Sequence, residues 1–176
     1  MRLRRWGLIA AIMLFLVAGG CASSQSRARK NVSSAARQQR DVVRSVRCVY
    51  DYNPWLDLDQ HRDSDPEGIR YRVFLDLGDG KGVHREGTFH IELYQIDYGD
   101  DGKVVRTLVS DWHYPTSQVH RIAKPGMLGD GYFLHLAWAH KDIAGHEIDL
   151  VTQFEDAFGN VSRSGAKRLR VPKYIS

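Results

Sequence analysis

The densest run of groups able to do chemistry lies between residues 57 and 67, where Asp57, Asp59, Asp63, Asp65 and Glu67 crowd one segment. Clustered carboxylates in a loop suit Ca²⁺, which takes about six to eight oxygen ligands. The EF-hand pattern fails here: counted from Asp57, the fifth and sixth places hold His61 and Arg62, and the twelfth holds Gly68. What remains is a choice between a Ca²⁺ site in a loop at one end of the fold and a solvated acidic loop with Asx turns. The segment Tyr52-Asn53-Pro54-Trp55 comes just before it. An aromatic ring beside carboxylates can stack a sugar or dock a protein, which makes Tyr52 and Trp55 candidate partner contacts. The same tryptophan could instead plug the open end of the fold.

Eight histidines raise the question of a transition metal. None falls into a helical H-x-x-x-H pair, and no cysteine joins them. On strands, His90 and Glu92 share a face, and a surface His-Glu-His site could form if the strand carrying His135 were their neighbour, although scattered surface imidazoles are the commoner case. Nucleophile and phosphate motifs are missing from the sequence: there is no G-x-S-x-G elbow and no H-E-x-x-H. The glycines between Gly78 and Gly82 join two strand patterns, with no helix following to hold an anion. No catalytic residue is assigned, and no cofactor beyond the Ca²⁺ alternative.

Cys21 has the most specific surroundings in the chain. Arg2, Arg4 and Arg5 precede an apolar run from Trp6 to Val17, followed by Ala18-Gly19-Gly20-Cys21. The run is shorter than the ~20 residues a membrane-spanning helix needs, and it has the order of a secretory signal. This segment resembles the lipobox signal of bacterial lipoproteins, with Ala18 standing where leucine is usual. The resemblance implies that residues 1–20 are removed and that Cys21 is acylated and becomes the first residue. It also implies an anchor of several acyl chains, stable where a single chain is marginal. In that family an Asp after the cysteine favours retention at the inner membrane. Ala22 stands there instead, so the expected location is the cell envelope, in the outer membrane.

Charge divides the rest of the chain. Residues 22–47 carry seven basic side chains against Asp41 alone, whereas residues 48–176 carry 15 basic and 20 acidic ones. Up to about residue 41 the composition is Ser, Ala, Gln and Arg, too poor in apolar surface to offset ordering entropy. The expected layout is a signal peptide over 1–20, a lipidated cysteine and basic flexible tether over 21–41, and one domain over 42–176. The tether either lies on anionic lipid or polymer or serves as a solvated spacer. An acidic domain outside the cytoplasm argues against nucleic acid as a partner. With Cys21 acylated, Cys48 has no disulfide partner and reads as a small buried hydrophobe.

From residue 46 onward the periodicity is two. Ile69, Tyr71, Val73, Leu75 and Leu77 alternate with Arg70, Arg72, Phe74 and Asp76, and Phe89, Ile91 and Leu93 alternate with His90, Glu92 and Tyr94. Similar patterns fall on Val46–Tyr50, Val104–Trp112, Gly131–His140, Glu147–Glu155 and Lys167–Val171, with Val104, Leu108 and Trp112 expected on one face. Glycine-rich turns separate them. About seven or eight short strands in one domain predict an all-β fold, a single antiparallel β-sandwich, with a barrel as the alternative. Asp156-Ala157-Phe158-Gly159-Asn160, after an alternating strand, resembles the turn between the last two strands of bacterial immunoglobulin-like and fibronectin-like modules. Gly131 to Leu136 fits their penultimate strand. The expected function is that of a membrane-anchored envelope lipoprotein acting as a non-catalytic binding or scaffolding module. It would be held by membrane lipid through Cys21 and face an envelope protein or polysaccharide. The alternative is a calcium- or metal-dependent binder or enzyme using loop 57–67.

Overall fold

The computed structural model describes residues 41–58, 65–123, 128–138 and 142–174. The expectations for the signal peptide, Cys21, the tether up to residue 40, Asp59 and Asp63 lie outside the described residues. Val42–Ser176 forms one compact unit. Its strands are β1 (Ser45–Val49), β2 (Trp55–Leu56), β3 (Gly68–Asp76), β4 (Gly82–Val83), β5 (Gly87–Tyr98), β6 (Val104–Pro115), β7 (His120–Ile122), β8 (Gly131–Ala137), β9 (Glu147–Asp156), β10 (Val161–Arg163) and β11 (Lys167–Arg170).

They form two antiparallel sheets packed as a sandwich, as the alternation predicts. A six-stranded sheet runs β1-β3-β8-β7, with β2 and β4 also on β3. A five-stranded sheet runs β10-β9-β5-β6, with β11 also on β9. Period-two side chains from each sheet meet in the middle. Ile69, Tyr71, Val73 and Leu75 of β3 and Tyr132, Leu134 and Leu136 of β8 face Phe89, Ile91 and Leu93 of β5 and Ile148, Leu150 and Phe154 of β9. Burying each such side chain contributes about 1.5–3 kcal/mol. Polar bonds fix one sheet against the other. Tyr71 and Thr152 hydroxyls meet at 2.9 Å within the core, Trp112 Nε1 donates to the Ala137 carbonyl at 3.1 Å, and Ser162 Oγ donates to the Val43 carbonyl. Cys48 turns toward this core beside Tyr50, Thr152 and Ser164, and burial raises its thiol pKa.

One strand departs from the expected pattern. On β6 the pairing passes from Leu93↔Ser110 to Tyr94↔Leu108, so Val109 is an extra residue. A bulge of this kind reverses the parity of every side chain beyond it. Val109 is buried and Trp112 packs on the core, while Val104 and Leu108 are exposed, so Val104, Leu108 and Trp112 do not share a face. The Asp156–Asn160 turn joins β9 to β10. There the Asp156 carboxylate accepts the amides of Phe158 and Asn160 at 2.8 and 2.9 Å, and Gly159 takes a φ of 82°. β11 follows it, so the turn does not connect the last two strands; β8, likewise, is followed by three strands.

Candidate functional site

The outer face of the five-stranded sheet gathers the side chains best able to recognise a ligand. On β5, His90 and Glu92 alternate with Phe89, Ile91 and Leu93, so burying the apolar set forces the polar set outward. Pairing then selects their neighbours: His90 lies between His113 of β6 and Gln153 of β9, and Glu92 between Asp111 and Val151. The two imidazole rings meet edge to face with centroids 4.7 Å apart. His90 Nε2 lies 3.2 Å from Glu155 Oε2, within ion-pair range but off the hydrogen-bond direction. His113 Nδ1 lies 3.7 Å from Asp111 Oδ2, and Arg163 reaches Glu92 from β10 at 3.4 Å.

Together His90, Glu92, Asp111, His113 and Glu155 line a depression of about 410 Å³. Ile91, Gln153 and two exposed apolar side chains, Leu108 beside the bulge and Val161 on β10, complete its lining. Imidazoles and carboxylates next to apolar contacts can bind hydroxyl-rich or cationic groups by hydrogen bonds and charge while excluding water at the rim. Among the described residues no three His, Cys, Asp or Glu side chains are grouped to hold a metal ion.

The condition for a His-Glu-His site with His135 is not met, because β5 and β8 belong to different sheets. His113 takes that place instead. It sits beyond the bulge, where periodicity read from the sequence no longer reports which face a residue occupies.

At its described end the acidic loop is closed by hydrogen bonds of Glu67. Glu67 Oε2 accepts the Leu58 amide at 2.7 Å, and the Glu67 amide donates to the Leu56 carbonyl at 3.0 Å. Glu67 thus ties the two ends of the loop together. Asp57 is exposed and Asp65 half-buried. Millimolar Ca²⁺ is therefore expected to leave the melting midpoint unchanged. A bound ion at a hundred times its dissociation constant would add about 2.7 kcal/mol, a shift of several degrees in a domain this size. A calcium-dependent rise that vanishes in an Asp63→Asn, Asp65→Asn variant would restore the chelating loop.

The two candidate aromatic contacts separate. Tyr52 is fully exposed, whereas Trp55 is half-buried and meets Trp138 edge to face at 6.4 Å against the core. Among the described residues, no helix is long and apolar enough to cross a membrane. No protein-family model matches this sequence, and no curated protein does.

Proposed function

We propose that this chain is a lipid-anchored protein of the cell envelope whose β-sandwich is a non-catalytic binding or scaffolding module. The observation that carries the reading is the depression around His90, Glu92, Asp111, His113 and Glu155, next to exposed Leu108 and Val161. Its ligand class is an envelope protein or polysaccharide presenting cationic or hydroxyl groups. The location, in the outer membrane through acylated Cys21, rests on the lipobox-like segment.

Two measurements test the two halves separately. The intact mass of the mature protein should show a chain beginning at Cys21 with acyl chains attached, and Cys21→Ser should stay an unprocessed precursor. A mature chain starting at Cys21 without lipid would remove the anchor. For the module, a photo-crosslinking side chain at residue 108 should give a discrete adduct in intact envelopes. The adduct should be lost on combining Glu92→Gln with Asp111→Asn and kept with Asp79→Asn, a change in a turn of the other sheet. Equal adducts in all three would sink the assignment of this face.

A further inference from the structure

On the opposite side of the sandwich, core residues of β1, β3, β7 and β8 leave Arg47, Arg70, Arg72, His120, Phe133 and His135 on the outer face. Arg70 lies directly across from His135, Arg72 across from Phe133, and Phe133 across from His120. The nearby carboxylates are engaged. Asp51 accepts Arg72 at 2.5 Å, and Asp76 accepts the amides of Gly78 and Gly80 at 2.7 and 3.1 Å. One terminal nitrogen of Arg47 donates to the Gly80 carbonyl at 2.6 Å. The Nε atoms of Arg47, Arg70 and Arg72 are shielded from water with no acceptor among the described residues. Buried donors nearly always find one. Arg47, Arg70 and Arg72 outnumber Asp51 and Asp76, which leaves this sheet face with net positive charge. His135 registers the same field: burial first, then the charges of Arg70 and His120, hold its pKa below the ordinary imidazole value.

The two outer faces differ in sign. On the five-stranded sheet, Glu92, Asp111, Glu147, Asp149 and Glu155 outnumber Arg106, Arg163, Arg168 and Arg170 by one. In sequence, the basic residues 22–47 run directly into β1, which belongs to the sheet with the arginines.

We propose that the Arg47, Arg70 and Arg72 face docks on the phosphate headgroups of an anionic lipid surface, leaving the histidine and carboxylate face turned outward. Charge complementarity selects the occupant, and so does the continuity of basic charge from residues 22–47 into this sheet. The inference rests on the lipid-anchored reading for its choice of membrane over a soluble polymer, since an anchor holds the domain at high effective concentration beside headgroups. Each arginine near an anionic surface is worth roughly fivefold in affinity, and salt screens the attraction.

The test uses the full mature chain in vesicles of phosphatidylcholine, with or without a third of phosphatidylglycerol. A fluorophore is placed at Ala137→Cys on the basic face or at Val161→Cys on the acidic face. Cys48, with its raised thiol pKa, reacts slowly beside an exposed cysteine. A headgroup-bound quencher should quench the label at 137 only in phosphatidylglycerol vesicles. High salt should reverse this, and Arg70→Gln with Arg72→Gln should weaken it roughly 25-fold. The label at 161 should stay bright throughout. If the chain does not float with neutral vesicles, the anchor reading fails. The face is then judged by flotation with phosphatidylglycerol alone, which the double variant should reduce by the same factor. Quenching that ignores lipid charge, or a double variant that behaves like the parent, overturns the docking face. Protection of the label by soluble heparin but not by phosphatidylglycerol would overturn it in favour of a polysaccharide.

Discussion

Replacing Phe89 with alanine is expected to destabilise the domain by about 3–5 kcal/mol, the range for deleting a large aromatic from a packed core. Phe89 is fully buried on β5, the strand held on both sides by β6 and β9. Its ring meets Tyr132 of the other sheet edge to face at 5.1 Å and Phe154 of its own sheet at 5.4 Å. A strand paired along both edges cannot move in to refill the space, so most of the cavity should persist. Against a total stability of about 5–15 kcal/mol, the loss takes a large share. The melting midpoint should fall by more than ~10 °C. Urea unfolding of the variant beside Tyr52→Ala checks this, because fully exposed Tyr52 should change stability by less than ~0.5 kcal/mol. A Phe89→Ala midpoint within error of the parent would mean that the two sheets do not pack through this ring.

How much of this was readable beforehand depends on what period-two alternation encodes. It reports which face a side chain takes, so the core of β3 and the inward set Phe89, Ile91 and Leu93 are legible from residue order alone. Alternation says nothing about which strands are neighbours. His90 and Glu92 were therefore identifiable as outward-facing, while their true partners, His113, Asp111 and Glu155, were not. His113 was doubly hidden, because the extra residue Val109 shifts the parity of β6. No motif marks a bulge in a strand that carries three valines among polar residues. The arginines of β3 were visible as the polar half of a strand. That they face a sheet short of acceptors emerges only once β1, β8 and β7 are laid beside them. Carboxylate density reports composition and not partners: that Glu67 Oε2 accepts the Leu58 amide across the loop emerges only from the structure.

Acid should weaken the domain through Asp149, and the sign follows from its partners. Asp149 is 2% exposed on β9. Arg168 of β11 donates to its two oxygens at 2.9 and 3.1 Å, and Arg106 of β6 approaches at 2.7 Å. The Arg168 hydrogen bonds, opposed by burial and reinforced by the charge of both arginines, hold the carboxyl below its ordinary value. A carboxyl whose pKa is lower folded than unfolded contributes stability that is fully present above the unfolded value of about 3.9 and fades as pH falls through the folded one. Asp149→Asn should cost about 2 kcal/mol at neutral pH, the scale of a hydrogen bond to a charged group. Both arginines are about half exposed, which keeps the loss below that of a fully buried pair. As pH falls through the lowered folded value the parent loses the same ion pairs by protonation, so the two midpoints should draw together. Arg168→Gln should behave alike, with Arg106 left to hold the carboxylate and a smaller gap. Urea midpoints at pH 7, 5, 4 and 3 measure it. A gap between parent and Asp149→Asn that stays constant from pH 7 to pH 3 would show that Asp149 supports β9, β11 and β6 by shape and not by charge.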